Sequence, residues 1–268
     1  MYIWVNGNFT EESKPVLLAS DLALLGEGVF DTLLGIDGRI VHGRAHMERL
    51  IRHAGLLNIN PTYPAKQMLE AMRDTIEKNG ICKGYHAIKT LITMGPGNRG
   101  LNPPENPSPM CLISISEEAD PFIQKDYSVV IARTVRRNEY SVTSRIKSLS
   151  YSDNRIARYE ARGRGADEAL LLNTRGNVAC AAAGNLFVKI EGKIYTPPLA
   201  EGVTDGITRQ IILENGIAEE KSITPEEISH CEAMWVSNSV SGMRPVSDFE
   251  NRKIDSPSLQ VPGLFDTG

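Results

Sequence analysis

The chain has 268 residues, 29 of them basic and 33 acidic, for a formal net charge of −4. That length can bury one large core or two modest ones, and the slight acidic excess gives no basic footprint for nucleic acid or an anionic membrane, so a small molecule is the expected partner. Cys82, Cys111, Cys180 and Cys231 are scattered with no C-x-x-C pair, which argues against a zinc site or a disulfide-stapled secreted fold and for a reduced, cytoplasmic chain without a metal.

The opening MYIWVNGNFTEES has neither the basic flank nor the apolar run of a leader, and nowhere do the roughly 18 consecutive apolar residues of a membrane span occur. Tyr2 to Val5, the turn pair Asn6-Gly7 and Asn8-Phe9 predict a hairpin. In LALLGEGVFDTLLGIDGRIV, Gly26 and Gly28 break the run, Val29 to Ile36 is rich in β formers, and Asp37-Gly38 is a second hairpin turn. From Ala45 the apolar period lengthens: Met47, Leu50, Ile51, Ala54 and Leu57, then Ala65, Met68, Leu69, Met72 and Ile76, predict two amphipathic helices. Strands are expected over His86 to Thr93 and Met110 to Ser116, bracketing a proline-rich loop. Gly95-Pro96-Gly97-Asn98-Arg99-Gly100 in that loop matches G-x-G-x-x-G, but a dinucleotide site needs a helix to open there. The following LNPPENPSP cannot be helical, so the stretch reads as an active-site or interface loop.

Residues 117–125 are polar, contain Pro121 and read as a linker between a small N-terminal α/β domain, 1–116, and a larger C-terminal domain, 126–268. In the second domain a strand is expected over Tyr127 to Val135, a helix over Asn154 to Arg162 and a buried strand over Glu168 to Asn173, with a turn at Thr174 to Asn177. Leu186 to Ile190 and Lys193 to Tyr195 form a hairpin around Glu191-Gly192, and a helix spans about Asp205 to Glu214. Thr224-Pro225-Glu226-Glu227 is a capping box with proline at the first helical position. Met234 to Ser237 and Met243 to Phe249 are the last strands.

One lysine stands out by its surroundings. Lys147 lies between apolar Ile146 and Leu149, at the expected end of a strand and just ahead of a helix. A lysine there is ordinarily a solvated cation, but in a cleft such an amine can be desolvated toward nucleophilic use. KSLSYSDNRIARYEA, GADEALLLNTRGNV, GNLF, GVTDGITRQ and VSNSVSGMRPV follow one another in order, with GEGVFDTL and HMERL upstream. Together these segments resemble the fold-type IV (class IV) pyridoxal-phosphate enzymes, which include branched-chain and D-amino-acid aminotransferases and 4-amino-4-deoxychorismate lyase. The resemblance spans nearly the whole chain. It implies a two-domain α/β (α+β) fold with a small N-terminal domain and a larger, β-barrel-like C-terminal one, and a cytoplasmic homodimer that binds pyridoxal 5'-phosphate.

Residue by residue, the resemblance makes Lys147 the covalent cofactor lysine and gives Arg49 the cofactor phosphate. Ile207 and Thr208 match the helix start whose amides and hydroxyl hold that phosphate, as helix N-termini do for anions, and Ser239 matches the hydroxyl that completes the cup. Tyr151 stands either at the cofactor's phenolic oxygen or as a core tyrosine. Phe30 and Arg99 are the substrate-binding candidates. The departure is Cys180, which occupies the place of the family's glutamate, the partner of the cofactor ring nitrogen. A thiol cannot supply that charge; the alternative is that Cys180 is a small packing residue. Because elimination to an aromatic product depends less on a protonated ring nitrogen, the chain reads as a 4-amino-4-deoxychorismate lyase of folate biosynthesis. The alternatives are an aminotransferase acting on D- or branched-chain amino acids, and a non-catalytic cofactor-binding homologue.

Overall fold

Asn6 and Gly7 take positive φ, 45° and 91°, as a tight hairpin reversal requires. They join β1 (Tyr2–Val5) to β2 (Asn8–Glu11) in a computed structural model that describes residues 1–123 and 125–267. Asp37 and Gly38 repeat the device, φ 48° and 76°, between β3 (Gly28–Ile36) and β4 (Arg39–Ile40). With β5 (Tyr85–Thr93) and β6 (Met110–Glu117) these form a six-stranded antiparallel sheet of order β2-β1-β6-β5-β3-β4. Alternation puts Val29, Asp31 and Leu33 of β3 on one face, in line with Ile92, Thr90 and Ile88 of β5. All six are buried. Helices α1 (Gly43–Leu56) and α2 (Ala65–Lys78) pack on this sheet and bury the predicted apolar stripes, Met47, Leu50 and Ala54 on one and Met68, Met72 and Ile76 on the other.

The rest of the chain builds a nine-stranded sheet from β7 (Tyr127–Ile131), β8 (Glu168–Leu172), β9 (Val178–Ala181), β10 (Asn185–Ile190), β11 (Lys193–Thr196), β12 (Glu219–Glu220), β13 (Ala233–Asn238), β14 (Gly242–Phe249) and β15 (Arg252–Lys253). It curls into a half-barrel of mixed direction, parallel where β7 meets β8 and β14 and where β11 meets β12. A one-turn helix, α3 (Val142–Arg145), precedes Lys147. Helix α4 (Ser152–Gly163) presents Ala157 and Ala161 to a cluster that includes Ala132, Ala169, Ala179, Cys180 and Ala182. Side chains this small let the helix axis approach the sheet closely. Helix α5 (Ile207–Glu214) packs Ile212 into a second cluster with Phe187 and Trp235, whose indole N–H donates to Pro257 O at 2.7 Å. At α6 (Pro225–Ser229) the capping box forms in both directions: Thr224 Oγ1 accepts Glu227 N–H, and Glu227 Oε2 accepts Thr224 N–H.

Two compact units result, one of residues 1–120, 147–150 and 265–268, the other of 121–146 and 151–264. The chain crosses at Asp120/Pro121, inside the predicted linker; Glu117 still belongs to β6, and Gln124 of that linker lies outside the described residues. Three expectations are corrected. The strand expected over Tyr127 to Val135 stops at Ile131, because the Arg133 and Thr134 N–H groups turn to the Glu160 carboxylate. The segment carrying Lys147 groups with the first unit rather than with the C-terminal one, because it pairs with β3. Lys147 itself ends no strand; α3 precedes it. Among the described residues no helix is long and apolar enough to cross a membrane.

Candidate active site

In the first unit the site is built on β3. Residues 147–150 lie along its edge: Phe30 N–H donates to Lys147 O at 2.8 Å, Leu149 N–H donates to Gly28 O at 2.9 Å, and Val29 bridges Ser148. A side chain at Gly28 would collide with Leu149 and Ile92 O, so the close approach of this strip depends on glycine there. Antiparallel pairing sets Lys147 on the same face as Phe30, and the half-buried amine stands over the Phe30 ring, 4.7 Å from its centroid. Lys89, on that face because its cross-strand partner is Thr32, places a second amine 5.3 Å from the same centroid.

On the opposite face of β3, Asp31 meets α1. Arg49 donates through Nε to Asp31 Oδ2 at 2.9 Å and through Nη2 to Asp31 Oδ1 at 2.6 Å, while His46 Nδ1 lies 3.0 Å from Oδ1. Asp31 and Arg49 are 1% and 3% exposed. Burial opposes ionisation of Asp31, but the charges and hydrogen bonds of Arg49 and His46 outweigh it and hold the carboxyl well below the usual range. An ionised Asp31 accepts only, so His46 donates through Nδ1–H. Burial also lowers the His46 pKa, against the pull of Asp31 and with the help of Arg49 and Lys147. Another α1 side chain, His53, accepts the Lys147 N–H at Nδ1, 3.2 Å away.

In the second unit, α5 opens at Gly206, which has no side chain to cap it, and the first helical backbone bond runs from Gln210 N–H to Gly206 O. A Cβ on Gly206 would collide with Asn185 Oδ1, and Asn185 Nδ2 in turn donates to Thr204 O at 3.0 Å. Ile207 and Thr208 therefore present first-turn amides, unused inside the helix, from a position only glycine can precede, an arrangement that fits an anionic phosphate. Ser239 is half-buried in the β13–β14 turn, which Asn238 Oδ1 holds by accepting Val240 N–H at 3.0 Å and Ser241 N–H at 2.8 Å. Tyr151 is half-buried at the N-cap of α4.

Cys180, on β9 opposite Leu171, is 4% exposed. Burial raises its pKa, partly offset by Arg137, and Glu168 adds to the rise, so the thiol stays neutral. Among the described residues the buried Arg137 donates to uncharged acceptors: Gly202 O, Asn154 Oδ1, Ser144 O and Thr204 Oγ1. Glu168 is paired with Arg158. Burial raises the Glu168 pKa, with Arg158 and backbone N–H groups opposing it.

The sequence candidates thus fall into two sets. Lys147, Phe30 and Arg49 belong to the first unit; Cys180, Ile207, Thr208, Ser239 and Tyr151 belong to the second. Arg99 is exposed in its loop, which is not helical. Lys89, Asp31, His46 and His53 were not among the candidates.

A family model, amino-transferase class IV, matches residues 28–249. The chain belongs to the class IV aminotransferases. Enzymes of this family use pyridoxal 5'-phosphate. The aminodeoxychorismate lyase of Bacillus subtilis is 30% identical over 264 residues, covering 96% of this chain and 89% of its own. A Methanocaldococcus jannaschii protein provisionally named a branched-chain-amino-acid aminotransferase is 28% identical over 266 residues, covering 97% and 91%. Among solved structures, the branched-chain aminotransferase of Thermoproteus uzoniensis with norvaline superposes with a TM-score of 0.89 at 25% identity, covering 96% of this chain and 90% of that one. The fold is therefore the fold-type IV one, and the protein is an enzyme.

Proposed function

We propose that this class IV enzyme is a 4-amino-4-deoxychorismate lyase, releasing pyruvate and leaving 4-aminobenzoate, a folate precursor. When bound, the cofactor supplies the electron-withdrawing ring on which such an elimination relies. Lys147 holds it covalently and moves the proton; Arg49, Ile207, Thr208 and Ser239 bind its phosphate; Tyr151 and Cys180 take the ring positions that the resemblance gives them. The observation that carries the reading is the neutral, buried thiol of Cys180, which the resemblance puts in the glutamate's place, with Arg137 nearby bonded among the described residues to uncharged acceptors. A protonated ring nitrogen gains nothing from such neighbours, which disfavours transamination more than an elimination driven by aromatisation. With Lys147 committed to the cofactor, the Lys89 amine over Phe30 suits a substrate that carries carboxylates, as this one does, and Arg99 is a further candidate for a carboxylate.

The relatives named as branched-chain aminotransferases support a second reading, transamination of amino acids. The purified enzyme loaded with cofactor, given aminodeoxychorismate without a keto acid, should release pyruvate and 4-aminobenzoate in equal amounts. No release, together with full conversion of the cofactor to its amine form by an amino acid, refutes the lyase and leaves the aminotransferase. A homodimer in the cytoplasm belongs to the same proposal.

A further inference from the structure

We propose that His53 is the positioning residue for Lys147, holding the lysine's backbone so that its amine meets the cofactor; this rests on the reading that Lys147 carries it. Backbone bonds from Phe30 N–H and from Leu149 N–H tie the strip 147–150 to β3. That pairing takes up the Lys147 carbonyl and the Leu149 N–H, and the Lys147 N–H turns to a side chain of α1. His53 Nδ1 stands there at 3.2 Å. The ring is 2% exposed and projects from α1 one turn beyond Arg49, on the same helical face.

The chemistry of the contact fixes the state of the imidazole. Nδ1 accepts, so the ring proton sits on Nε2, and an imidazolium would have no lone pair to offer. His53 thus meets the Lys147 backbone as an acceptor. It pins the peptide plane from which the Lys147 side chain leaves, and small errors in the placement of a reacting group are costly in rate.

Two variants and one measurement test this. In the cofactor-free wild-type protein, the Lys147 amide should exchange with deuterium at least about 100-fold more slowly than an open amide. His53→Phe keeps a buried ring without an acceptor, whereas His53→Asn places Oδ1 where Nδ1 stands. The Phe variant should lose at least about 10-fold of that protection, and should capture pyridoxal phosphate, read as visible absorbance, about 10-fold more slowly. The Asn variant should return both to within about 3-fold of wild type, although it fills the space worse. If packing alone mattered, Asn would be the more impaired of the two, and that order overturns the proposal. A freely exchanging Lys147 amide in the wild type overturns it with no variant at all. Borohydride reduction and peptide mapping separate the two levels of failure. Pyridoxyl mass away from Lys147 refutes the cofactor assignment and the purpose given to His53, whereas mass on Lys147 with unprotected amide refutes the contact alone.

Discussion

The Asp31–Arg49 pair offers a test with a magnitude that follows from its burial. Both groups are almost fully enclosed, at 1% and 3% exposure, and joined by two hydrogen bonds of 2.9 and 2.6 Å. Removing one member leaves the other as an uncompensated buried charge, which costs about 3–5 kcal/mol, whereas replacing both with apolar groups of similar volume is close to neutral. Arg49→Met and Asp31→Val should each destabilise the cofactor-free protein by that amount, and the double variant should be more stable than either single one. Urea unfolding with linear extrapolation measures all four corners of the cycle. Singles that add to within about 0.5 kcal/mol would show that the two groups do not depend on each other, and the reasoning from burial would fail. The pair also bears on phosphate binding. Asp31 engages Nε and Nη2, so in the role proposed for it Arg49 would meet a phosphate already oriented. In the folded fraction, Arg49→Ala should weaken cofactor affinity by about 1.5–3 kcal/mol, and an unchanged affinity on titration would reduce Arg49 to a structural role.

Cys180→Glu places a carboxylate in the field of Arg137, at an overpacking cost of about 1–3 kcal/mol in the surrounding alanine cluster. The cofactor-loaded variant should speed the half-reaction with ordinary amino acids by at least about 10-fold, roughly 1.4 kcal/mol of barrier; unchanged rates in a folded, loaded variant would show the thiol to be packing alone. His46 predicts a pH dependence. Its folded pKa lies below the ordinary value of 6.5, so the unfolded chain takes up the proton first. Its contribution to stability is complete above that value and is lost as pH falls toward the folded one, with a slope of up to about 1.4 kcal/mol per pH unit. His46→Gln should flatten the stability profile between pH 7 and 5, and an undiminished slope would assign the proton elsewhere. Asp31, lowered from 3.8, keeps its contribution through that window and loses it only in stronger acid.

Local chemistry made much of the fold legible. Asn6-Gly7, Asp37-Gly38 and Glu191-Gly192 all take the positive φ their hairpins need, and Thr224 with Glu227 closes the box its spacing predicts. The helical periods of α1 and α2 gave their buried faces within a few residues. What escaped depends on distant partners. Strand β7 ends early because a carboxylate from α4 captures its next amides, and the place of Lys147 is set by pairing with β3, more than a hundred positions earlier. Part of the site was there to be found. Asp31 falls between Val29 and Leu33 on the core face of an alternating strand, and His46, Arg49 and His53 repeat at helical spacing with Leu50. A charge on a core face implies a partner, and that partner had to come from such a stripe. Lys89 carried no comparable signal, since its alternation with Ile88 and Thr90 is that of any solvent-facing strand residue.

The four residues 147–150 complete the edge of a sheet whose other strands are all in place by residue 117, while the chain on both sides of them belongs to the second unit. During synthesis the first sheet must therefore wait, one rung short, until residue 150 has emerged. A fragment ending at Asp120 would present the backbone of Gly28 and Phe30 as an open edge, liable to recruit a foreign strand. Supplying residues 145–151 as a separate peptide should close that edge in trans, which makes this short stretch a splint as well as the carrier of the proposed cofactor lysine.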